Sequence, residues 1–362
     1  MCAAAEWGGV GAARKRGEKI MEFRIDSDGV DPSLVPSVAL AGGQRMPMLG
    51  MGTFGSDHVA PAVMGEAVLG ALRAGCRHID SASVYANEKE TGAALRAALA
   101  GGVKRESLFV ASKLWNNAHA PKDVIPSCEK SLRLLGLDYL DMYLIHWPFP
   151  NFHPPGCDAN YLDKNARPYS NDAYLAAWGE MEKLLRQGKT RGIGVSNMTV
   201  AKLKQFLPRA SVRPAVNQLE CHPHFQQPEL TAFLKAERIQ PVGFCPLGSP
   251  NRPERDRAPG DTVDMADPVV VDIARRLELT PAQVCLKWAL QNGVAAIPLS
   301  TRRANCLSNL KAVLPPALTD DDLKRLSGVD KNCRLVKGQV FCWKHGQPWE
   351  ELWDLDGRVA AD

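Results

Sequence analysis

The sequence predicts an α/β fold, a (β/α)8 TIM barrel with an N-terminal β-hairpin and long loops on the C-terminal face. After Pro36, short β-type runs alternate with amphipathic helical stretches, which is the order of parallel strands joined by helical crossovers. Eight such strand runs follow the hairpin. The two longest interruptions, 148–171 and 248–264, are rich in Pro, Gly and charge and each follows a strand. In a barrel this places both loops on the catalytic face.

The elements are predicted in the following order. Two β-type runs, Ser37 to Leu40 and Gln44 to Met48, are separated by small residues at 41–43 and predict the hairpin. The eight barrel strands are predicted at 49–52, 77–80, 108–113, 139–146, 191–195, 215–219, 241–244 and 295–298. Thr280 and Pro281 predict a helix start, because a capping hydroxyl precedes a proline in the first turn. Two other crossovers show helical spacing of apolar residues, at Val124, Ile125, Cys128, Leu132 and Leu135 and at Val270, Ile273, Ala274 and Leu277.

Length and pattern predict one structural domain with a leader. Residues 1–35 are expected to form a flexible leader, since no periodic apolar pattern at the start of the chain could join a core, and Met21 could itself begin a chain. Residues 36–362 are expected to form a single barrel domain that includes a C-terminal substrate loop.

Composition excludes several classes of protein. The chain has 45% hydrophobic and 23% charged residues, which is typical of a globular protein. A net charge of +4, with no basic stripe that includes aromatic residues, gives no reason to expect nucleic-acid binding. No apolar run is long enough to span a membrane. Ten cysteines occur singly, without a C-x-x-C pair, so we expect free thiols, no metal site and a cytoplasmic location, although the leader leaves an organellar transit peptide open.

One motif suggests a different fold. Residues 50–55 match the G-x-G-x-x-G pattern of dinucleotide-binding domains, and Asp80 follows about 25 residues later, where such folds place a ribose-binding acid. The third glycine should lie in the first turn of a helix. Here Pro61 puts the helix start later, so the glycines are interpreted as a strand-end turn.

Polar side chains collect at the ends of the predicted barrel strands. Because the carboxyl ends of all barrel strands meet at one mouth, these residues should converge although they lie far apart in sequence. The polar residues are Asp80, Lys113, His146, Ser196, Asn197, Gln218 and Ser300, and the aromatic Phe244 lies at the end of the seventh strand.

Four of the residues near these strand ends can reduce a carbonyl group. Tyr85 is a plausible proton donor, but a phenol with a pKa of about 10 is a weak acid at neutral pH. The ammonium of Lys113 would favour the phenolate, and the carboxylate of Asp80 would hold that ammonium charged and oriented. His146 could donate a hydrogen bond to the substrate oxygen. Each residue alone is more simply explained as a paired or packed side chain, so the hypothesis depends on all four occurring together.

The same segments resemble the aldo-keto reductase family, in its aldose and xylose reductase-like branch. The similar segments are 78–82, 85–88, 112–115, 146–148 and 192–197, in family order and spacing, and the likeness extends from about Pro36 to past Asn309. The resemblance implies a TIM barrel that reduces a carbonyl with NAD(P)H. It also implies that Asp80, Tyr85, Lys113 and His146 form the catalytic tetrad.

The resemblance further implies a set of cofactor contacts. Ser196, Asn197 and Gln218 would hold the nicotinamide carboxamide, and Phe244, where the family usually has tyrosine, would stack on the nicotinamide ring. The loop after Pro246, Leu247 and Ser249 would fold over the pyrophosphate. The remaining implied contacts are Gly52, Thr53, Phe54, Asp80, Ser300, Thr301, Arg302, Asn305 and Asn309.

The sequence departs from the family after the last strand. The family commonly has a lysine and an arginine that grip the 2′-phosphate of NADPH, whereas this chain has Leu299 and Asn305 at those positions. Arg302 or Arg303 could substitute. NADP(H) is therefore the favoured cofactor, with NAD(H) possible.

The expected substrate is a small carbonyl or polyol compound. Phe54, Tyr85, Trp115, His146 and Trp147 would contact it, together with the two long loops and the stretch 341–343. The polar content of the loop 148–171 suits a sugar aldehyde. Broad-specificity reduction of small aldehydes or ketones and a non-catalytic, cofactor-sensing subunit are the alternatives, and the protein is expected to be a monomer or homodimer.

Overall fold

The computed structural model describes residues 22–55 and 57–360, and its core is a parallel barrel preceded by a hairpin. The hairpin consists of β1 (Ser37–Ala39) and β2 (Arg45–Pro47), which pair antiparallel as predicted. Eight parallel strands follow, and each pairs with the next: β3 (Met51–Gly52), β4 (His78–Asp80), β5 (Phe109–Leu114), β6 (Met142–Ile145), β7 (Ile193–Ser196), β8 (Val216–Glu220), β9 (Gln240–Phe244) and β10 (Ala295–Ala296). A parallel bridge between Leu49 and Ala296 joins the first strand to the last.

All eight predicted strands are confirmed, but the prediction of 139–146 for β6 was too long. The carbonyl of Tyr139 accepts a hydrogen bond from Arg105 Nη2 at 2.8 Å. The Tyr139 ring lies 4.0 Å from the Arg105 guanidinium and 3.9 Å from that of Arg191. These side-chain contacts hold Tyr139 outside the sheet, and the strand begins at Met142.

Helices connect the strands on the outside of the barrel. In the described part of the chain they are α1 (Pro61–Ala74), α2 (Glu88–Ala100), α3 (Pro121–Leu135), α4 (Asn171–Arg186), α5 (Val200–Phe206), α6 (Pro228–Ala236), α7 (Pro268–Arg276), α8 (Pro281–Gln291), α9 (Arg303–Leu310) and α10 (Asp320–Ser327). α8 starts as predicted, with Thr280 and Gln283 in a reciprocal capping box. α1 begins only at Pro61, so no helix starts at the third glycine of the 50–55 motif.

Gly50 has a packing role in the turn before β3. A Cβ on Gly50 would lie 2.7 Å from Cγ of His78 and 2.9 Å from the His78 carbonyl oxygen. Only glycine therefore allows this close approach of β3 to β4. The observation confirms the interpretation of the glycine motif as a strand-end feature.

The barrel interior is filled with apolar side chains from both the hairpin and the strands. Leu40, Met46 and Met48 of the hairpin region belong to the same buried cluster as Phe109, Ala111, Met142, Leu144, Val216, Val242, Ala295 and Ile297. The hairpin thereby closes the amino-terminal end of the barrel. The hairpin does not cover the mouth at the carboxyl ends of the strands, which is where TIM barrels carry their active sites.

The predicted flexible leader is wrong for residues 22–35, which pack against the barrel. Val30 is 3% exposed, and its N–H donates to the Ala74 carbonyl at 2.8 Å. Asp26 and Asp28 bind Arg303, with shortest distances of 2.5 Å each. Polar contacts of this kind show no periodic pattern in the sequence, so the sequence did not predict them. Residues 1–21 lie outside the described residues.

The C-terminal segment covers one side of the mouth. It contributes to a buried aromatic group, here called the C-terminal cluster, which consists of Trp147, Phe149, Val340, Phe341, Cys342, Leu352 and Trp353. A buried ion pair between Lys202 and Asp354, 2.5 Å apart, fastens the end of the segment to α5.

Two chain-wide expectations can be compared with the described residues. None of the helices within residues 22–55 and 57–360 is long and apolar enough to cross a membrane. The cysteines in these ranges are free thiols.

Candidate active site

Asp80, Lys113 and Tyr85 form a continuous chain of hydrogen bonds at the barrel mouth, here called the proton relay. Asp80 ends β4 and Lys113 lies near the end of β5, while Tyr85 belongs to the turn after β4. Lys113 Nζ lies 2.5 Å from Asp80 Oδ2 and 3.2 Å from Tyr85 Oη. It also donates to the Ser81 carbonyl at 2.9 Å. The ammonium thus has three acceptors in a site from which water is largely excluded.

The electrostatics of the relay follow from burial and from these contacts. Burial alone would lower the pKa of Lys113, but Asp80 and Tyr85 outweigh it and the pKa is raised, so the amine is charged. Burial raises the pKa of Tyr85, and the ammonium of Lys113 opposes this effect without cancelling it. Lys113 therefore makes the phenol more acidic than burial would leave it, as predicted, although the net pKa stays above the ordinary value.

His146 follows β6 and faces the same group. Its ring centroid is 5.7 Å from that of Tyr85 and 5.2 Å from that of Trp115, with edge-on geometry in both cases. Burial lowers the pKa of His146 well below its ordinary value, and the nearby Lys113 acts in the same direction. The imidazole is therefore neutral at neutral pH and can donate a hydrogen bond without competing as an acid.

The residues predicted to hold the nicotinamide carboxamide lie beside the relay. Asn197 has a φ of +60° and donates through Nδ2 to the His146 carbonyl at 2.9 Å. Its Oδ1 is buried and accepts no hydrogen bond from the described residues. Ser196 Oγ donates to the Gln218 backbone carbonyl at 2.9 Å. A buried amide oxygen without a donor fits a carboxamide N–H, so this group of residues suits a nicotinamide.

The side chain of Gln218 makes a contact that the sequence did not predict. Its Nε2 donates to Asp80 Oδ1 at 2.8 Å, and both residues are almost fully buried. They lie far apart in sequence on β8 and β4, so only convergence of strand ends could have suggested the pair. Gln218 thus belongs to the relay as well as to the predicted carboxamide site.

The first predicted cofactor contacts lie around β3. Gly52 and Thr53 are buried, and Thr53 Oγ1 donates to the Asp80 carbonyl at 3.1 Å. The Phe54 ring is 5.1 Å from that of Tyr85. These three residues therefore border the relay.

Phe244 and the loop after it lie on the opposite side of the mouth. Phe244 is half-buried at the end of β9, Pro246 is buried, and Leu247 and Ser249 are half-buried. The side chain of Asp261 in this loop accepts from Lys337 at 2.8 Å and also binds Arg252. The loop predicted to cover the pyrophosphate is thus tied to the C-terminal segment.

The segment 299–309 after β10, predicted to hold the adenosine 2′-phosphate, is called the adenosine end. Thr301, Arg302 and Asn305 are exposed, Ser300 is half-buried and Asn309 is buried. The guanidinium of Arg303 makes four hydrogen bonds to Asp26 and Asp28, so it is bound to the N-terminal segment. The side chain of Arg302 has no ion pair with any described residue and is left as the free cation at this end.

Aromatic rings form the wall of the predicted substrate pocket. Trp115 packs edge-on against His153 at 5.9 Å and Phe341 at 6.0 Å. His153 is a wall residue that the sequence did not single out, because it lies in an irregular loop. Trp147 is 5% exposed and packs on Phe341 and Trp353 in the C-terminal cluster. Trp147 is therefore mostly covered by this cluster, and its contact with the substrate stays a prediction.

Comparisons with known proteins identify the family of this chain. The model of the "Aldo/keto reductase family" matches residues 48–331. An aldo/keto reductase of Synechocystis sp. is 40% identical over 321 residues, covering 87% of this chain and 95% of that one. The aldo-keto reductase family 1 member A1 of Homo sapiens is 39% identical over 306 residues, covering 83% of this chain and 90% of that one.

A solved structure resembles the barrel as a whole. The crystal structure of a Bombyx mori aldo-keto reductase in complex with NADP superposes with a TM-score of 0.74 and 30% identity. The match covers 85% of this chain and 96% of that one. Fold and sequence similarity therefore agree, and the chain belongs to the aldo/keto reductase family of NAD(P)H-dependent oxidoreductases.

Proposed function

We propose that the protein reduces an aldehyde or ketone to the alcohol with NADPH, and that Tyr85 supplies the proton. The observation that carries the proposal is the contact of one buried ammonium, Lys113, with both Asp80 and Tyr85. Reduction of a carbonyl needs a hydride at carbon and a proton at oxygen. When bound, the nicotinamide supplies the hydride.

The residues of the chain supply the rest of the chemistry. Tyr85 donates its proton to the carbonyl oxygen, and the Lys113 ammonium stabilises the phenolate that remains until solvent reprotonates it. Asp80 holds Lys113 charged. His146, neutral because of its burial, donates a hydrogen bond that orients the carbonyl and stabilises the negative charge growing on its oxygen.

The substrate that fits the wall has an apolar or aromatic body. Two of the polar side chains in the loop 148–171 already have hydrogen-bond partners. Asn151 is 1% exposed, and its amide donates to the carbonyls of Arg167 and Phe341 at 2.7 and 2.8 Å. Asp163 accepts from the Asn165 N–H at 2.6 Å. With Asn151 and Asp163 paired, the aromatic wall of Trp115, Phe341 and His153 favours the broad-specificity alternative, and the sugar aldehyde stays a prediction.

A direct test compares two aldehydes under the same conditions with NADPH. We expect kcat/KM for 4-nitrobenzaldehyde to exceed that for D-glyceraldehyde by about tenfold or more, because burying an aromatic ring against aromatic walls stabilises the complex by roughly 1–2 kcal/mol. A preference for glyceraldehyde would restore the sugar hypothesis. Absence of turnover with either would favour the non-catalytic, cofactor-sensing role.

Two variants connect the preference to the wall. Phe341→Ala should lower kcat/KM for the aromatic aldehyde by about tenfold and that for glyceraldehyde much less, since it removes one face of the pocket. Leu352→Ala is the matched control, because Leu352 lies in the same C-terminal cluster but is not one of the aromatic rings of the wall. An equal loss in both variants would show that the cluster acts only through stability.

A further inference from the structure

The relay has a second support besides Lys113, and it comes from the side chain of Gln218. Asp80 Oδ2 accepts from Lys113 Nζ, and Asp80 Oδ1 accepts from Gln218 Nε2 at 2.8 Å. Both carboxylate oxygens thus have a donor. Exposed fractions of 2% for Asp80, 0% for Lys113 and 4% for Gln218 mean that water cannot replace either donor easily.

We propose that Gln218 is a positioning residue of the proton relay: its side-chain amide holds the Asp80 carboxylate and so aims the Lys113 ammonium at the Tyr85 hydroxyl. This inference rests on the proposed function, and it adds a role to the predicted contact between Gln218 and the nicotinamide carboxamide.

One amide can serve both roles, because its two ends are different. The NH2 group donates to Asp80, and the carbonyl oxygen can accept from a carboxamide N–H. Gln218 also lies at a rigid point of the barrel. Its backbone carbonyl accepts from Ser196 Oγ at 2.9 Å and from the Asn197 N–H at 2.9 Å. The backbone that carries the Gln218 side chain is therefore well held. The hydrogen bond from this side chain in turn fixes the position of the Asp80 carboxylate.

Loss of this donor has a predictable effect on the relay. Asp80 would keep a single donor, Lys113, and its carboxylate would be free to rotate and draw the ammonium away from Tyr85. Lys113 holds Tyr85 at 3.2 Å, already longer than its contacts to Asp80 and Ser81, so this is the bond that a small displacement breaks first.

The first test is a double-mutant cycle between Gln218→Leu and Asp80→Asn, with the hydride-transfer rate measured in single turnovers at saturating NADPH. We expect Gln218→Leu to slow the rate about tenfold, since a hydrogen bond to a charged group typically contributes that much to an equilibrium. In the Asp80→Asn background the same substitution should cost markedly less, because the group it acts through is gone and only the predicted carboxamide contact is left to lose.

Ser196→Ala is the matched control, because Ser196 shares the predicted carboxamide role and does not touch Asp80, and the Gln218 backbone that it contacts stays paired with β7 and β9. Its effect should be the same in both backgrounds. Full additivity between Gln218→Leu and Asp80→Asn would overturn the proposal and leave Gln218 with the carboxamide role alone.

A second measurement needs no turnover. The ¹³Cζ resonance of Tyr85 in the cofactor-free protein, assigned by its loss in Tyr85→Phe, reports the hydrogen bond to the phenol at about pH 8, where the hydroxyl is protonated. We expect it to move in the same direction in Gln218→Leu and Asp80→Asn and to stay in place in Ser196→Ala. An unmoved resonance in Gln218→Leu overturns the proposal, whereas failure of the wild type to reduce any aldehyde overturns only the proposed function.

If Gln218→Leu does not fold, Gln218→Glu takes its place in both measurements. This nearly isosteric variant keeps a donor to Asp80 as long as it holds a proton, which its carboxylate neighbour favours. Its rate and its Tyr85 resonance should approach those of the wild type below about pH 6 and depart from them as the pH rises. Identical behaviour at both ends of that range would contradict the proposal.

Discussion

The proton relay and the adenosine end occupy the same mouth of the barrel but are built in opposite ways. Asp80 and Lys113 are at most 2% exposed, and each is held by several short contacts. At the adenosine end Arg302 and Asn305 are exposed, and Arg303 is bound by the N-terminal segment. The departures from the family pattern, Leu299 and Asn305, lie at this second end. Substitutions in the relay should therefore change the chemical step, and those at the adenosine end only cofactor affinity.

The largest effect is expected at Tyr85. Tyr85→Phe removes the proton donor and leaves the ring against Phe54, so kcat for carbonyl reduction should fall by 10² to 10⁴-fold while NADPH affinity hardly changes. NADPH affinity can be followed by quenching of tryptophan fluorescence. Tyr169→Phe serves as a control, because its hydroxyl bonds to Asn171 away from the relay. Retention of more than about a tenth of the rate would exclude Tyr85 as the proton donor.

The next effect concerns the adenosine end, and it distinguishes two adjacent arginines. Arg302→Ala should weaken NADPH binding about ten- to a hundredfold and leave NADH binding unchanged, because a charge-assisted contact to the 2′-phosphate is lost. Arg303→Ala should change NADPH binding less than about twofold, since its guanidinium is bound to Asp26 and Asp28. Fluorescence titration of both variants with NADPH and with NADH measures these affinities. A larger effect in Arg303→Ala, or none in either variant, would contradict the assignment of Arg302.

The relay was predictable from sequence because parallel strands end at one mouth. Asp80, Lys113 and His146 follow three consecutive strands, so their convergence needs only the strand order. Ser196, Asn197 and Gln218 lie near the ends of β7 and β8, so their place at the mouth was predictable for the same reason. The helix start at Thr280 was also readable, since capping depends on residues that are close in sequence.

The parts that could not be predicted depend on contacts between distant segments. The packing of Trp147 against Phe341 and Trp353 joins segments that are far apart in sequence. The ion pairs of Asp26 and Asp28 with Arg303 likewise could not be predicted from the sequence of the N-terminal segment. Such side-chain pairs have no periodicity, and one sequence alone contains no sign of them.

A smaller effect is expected from His222, a buried residue that follows β8. Burial alone would lower the pKa of His222, but the carboxylates of Asp264 and Glu220 on its two ring nitrogens outweigh it and raise the pKa to about 9. A raised pKa contributes stability that is complete below about pH 6.5 and is lost as the pH rises through about 9. The melting temperature of the wild type should therefore fall by roughly a few degrees between those values.

His222→Gln provides the comparison, because it keeps polar contacts without a titrating ring. We expect the variant to be less stable than the wild type near pH 6.5 and its melting temperature to depend less on pH up to about 9. Calorimetry at both pH values measures the difference. Parallel curves for the two proteins would show that Asp264 and Glu220 do not hold His222 in its charged form.

The smallest effect is expected at the N-terminus, where two deletions separate the leader from the adenosine end. Removal of residues 1–20 should leave the melting temperature and turnover unchanged, because that stretch has no periodic apolar pattern that could join the core. Removal of residues 1–30 also takes away Asp26, Asp28 and the buried Val30, and the loss of one buried valine alone costs about 1.5–3 kcal/mol. This longer deletion should lower the melting temperature but leave kcat intact, since the contacts of residues 22–30 are made with the barrel and Arg303 and not with the relay. If the shorter deletion alone caused a large fall in melting temperature, residues 1–20 would have to pack against the barrel and would belong to the barrel domain.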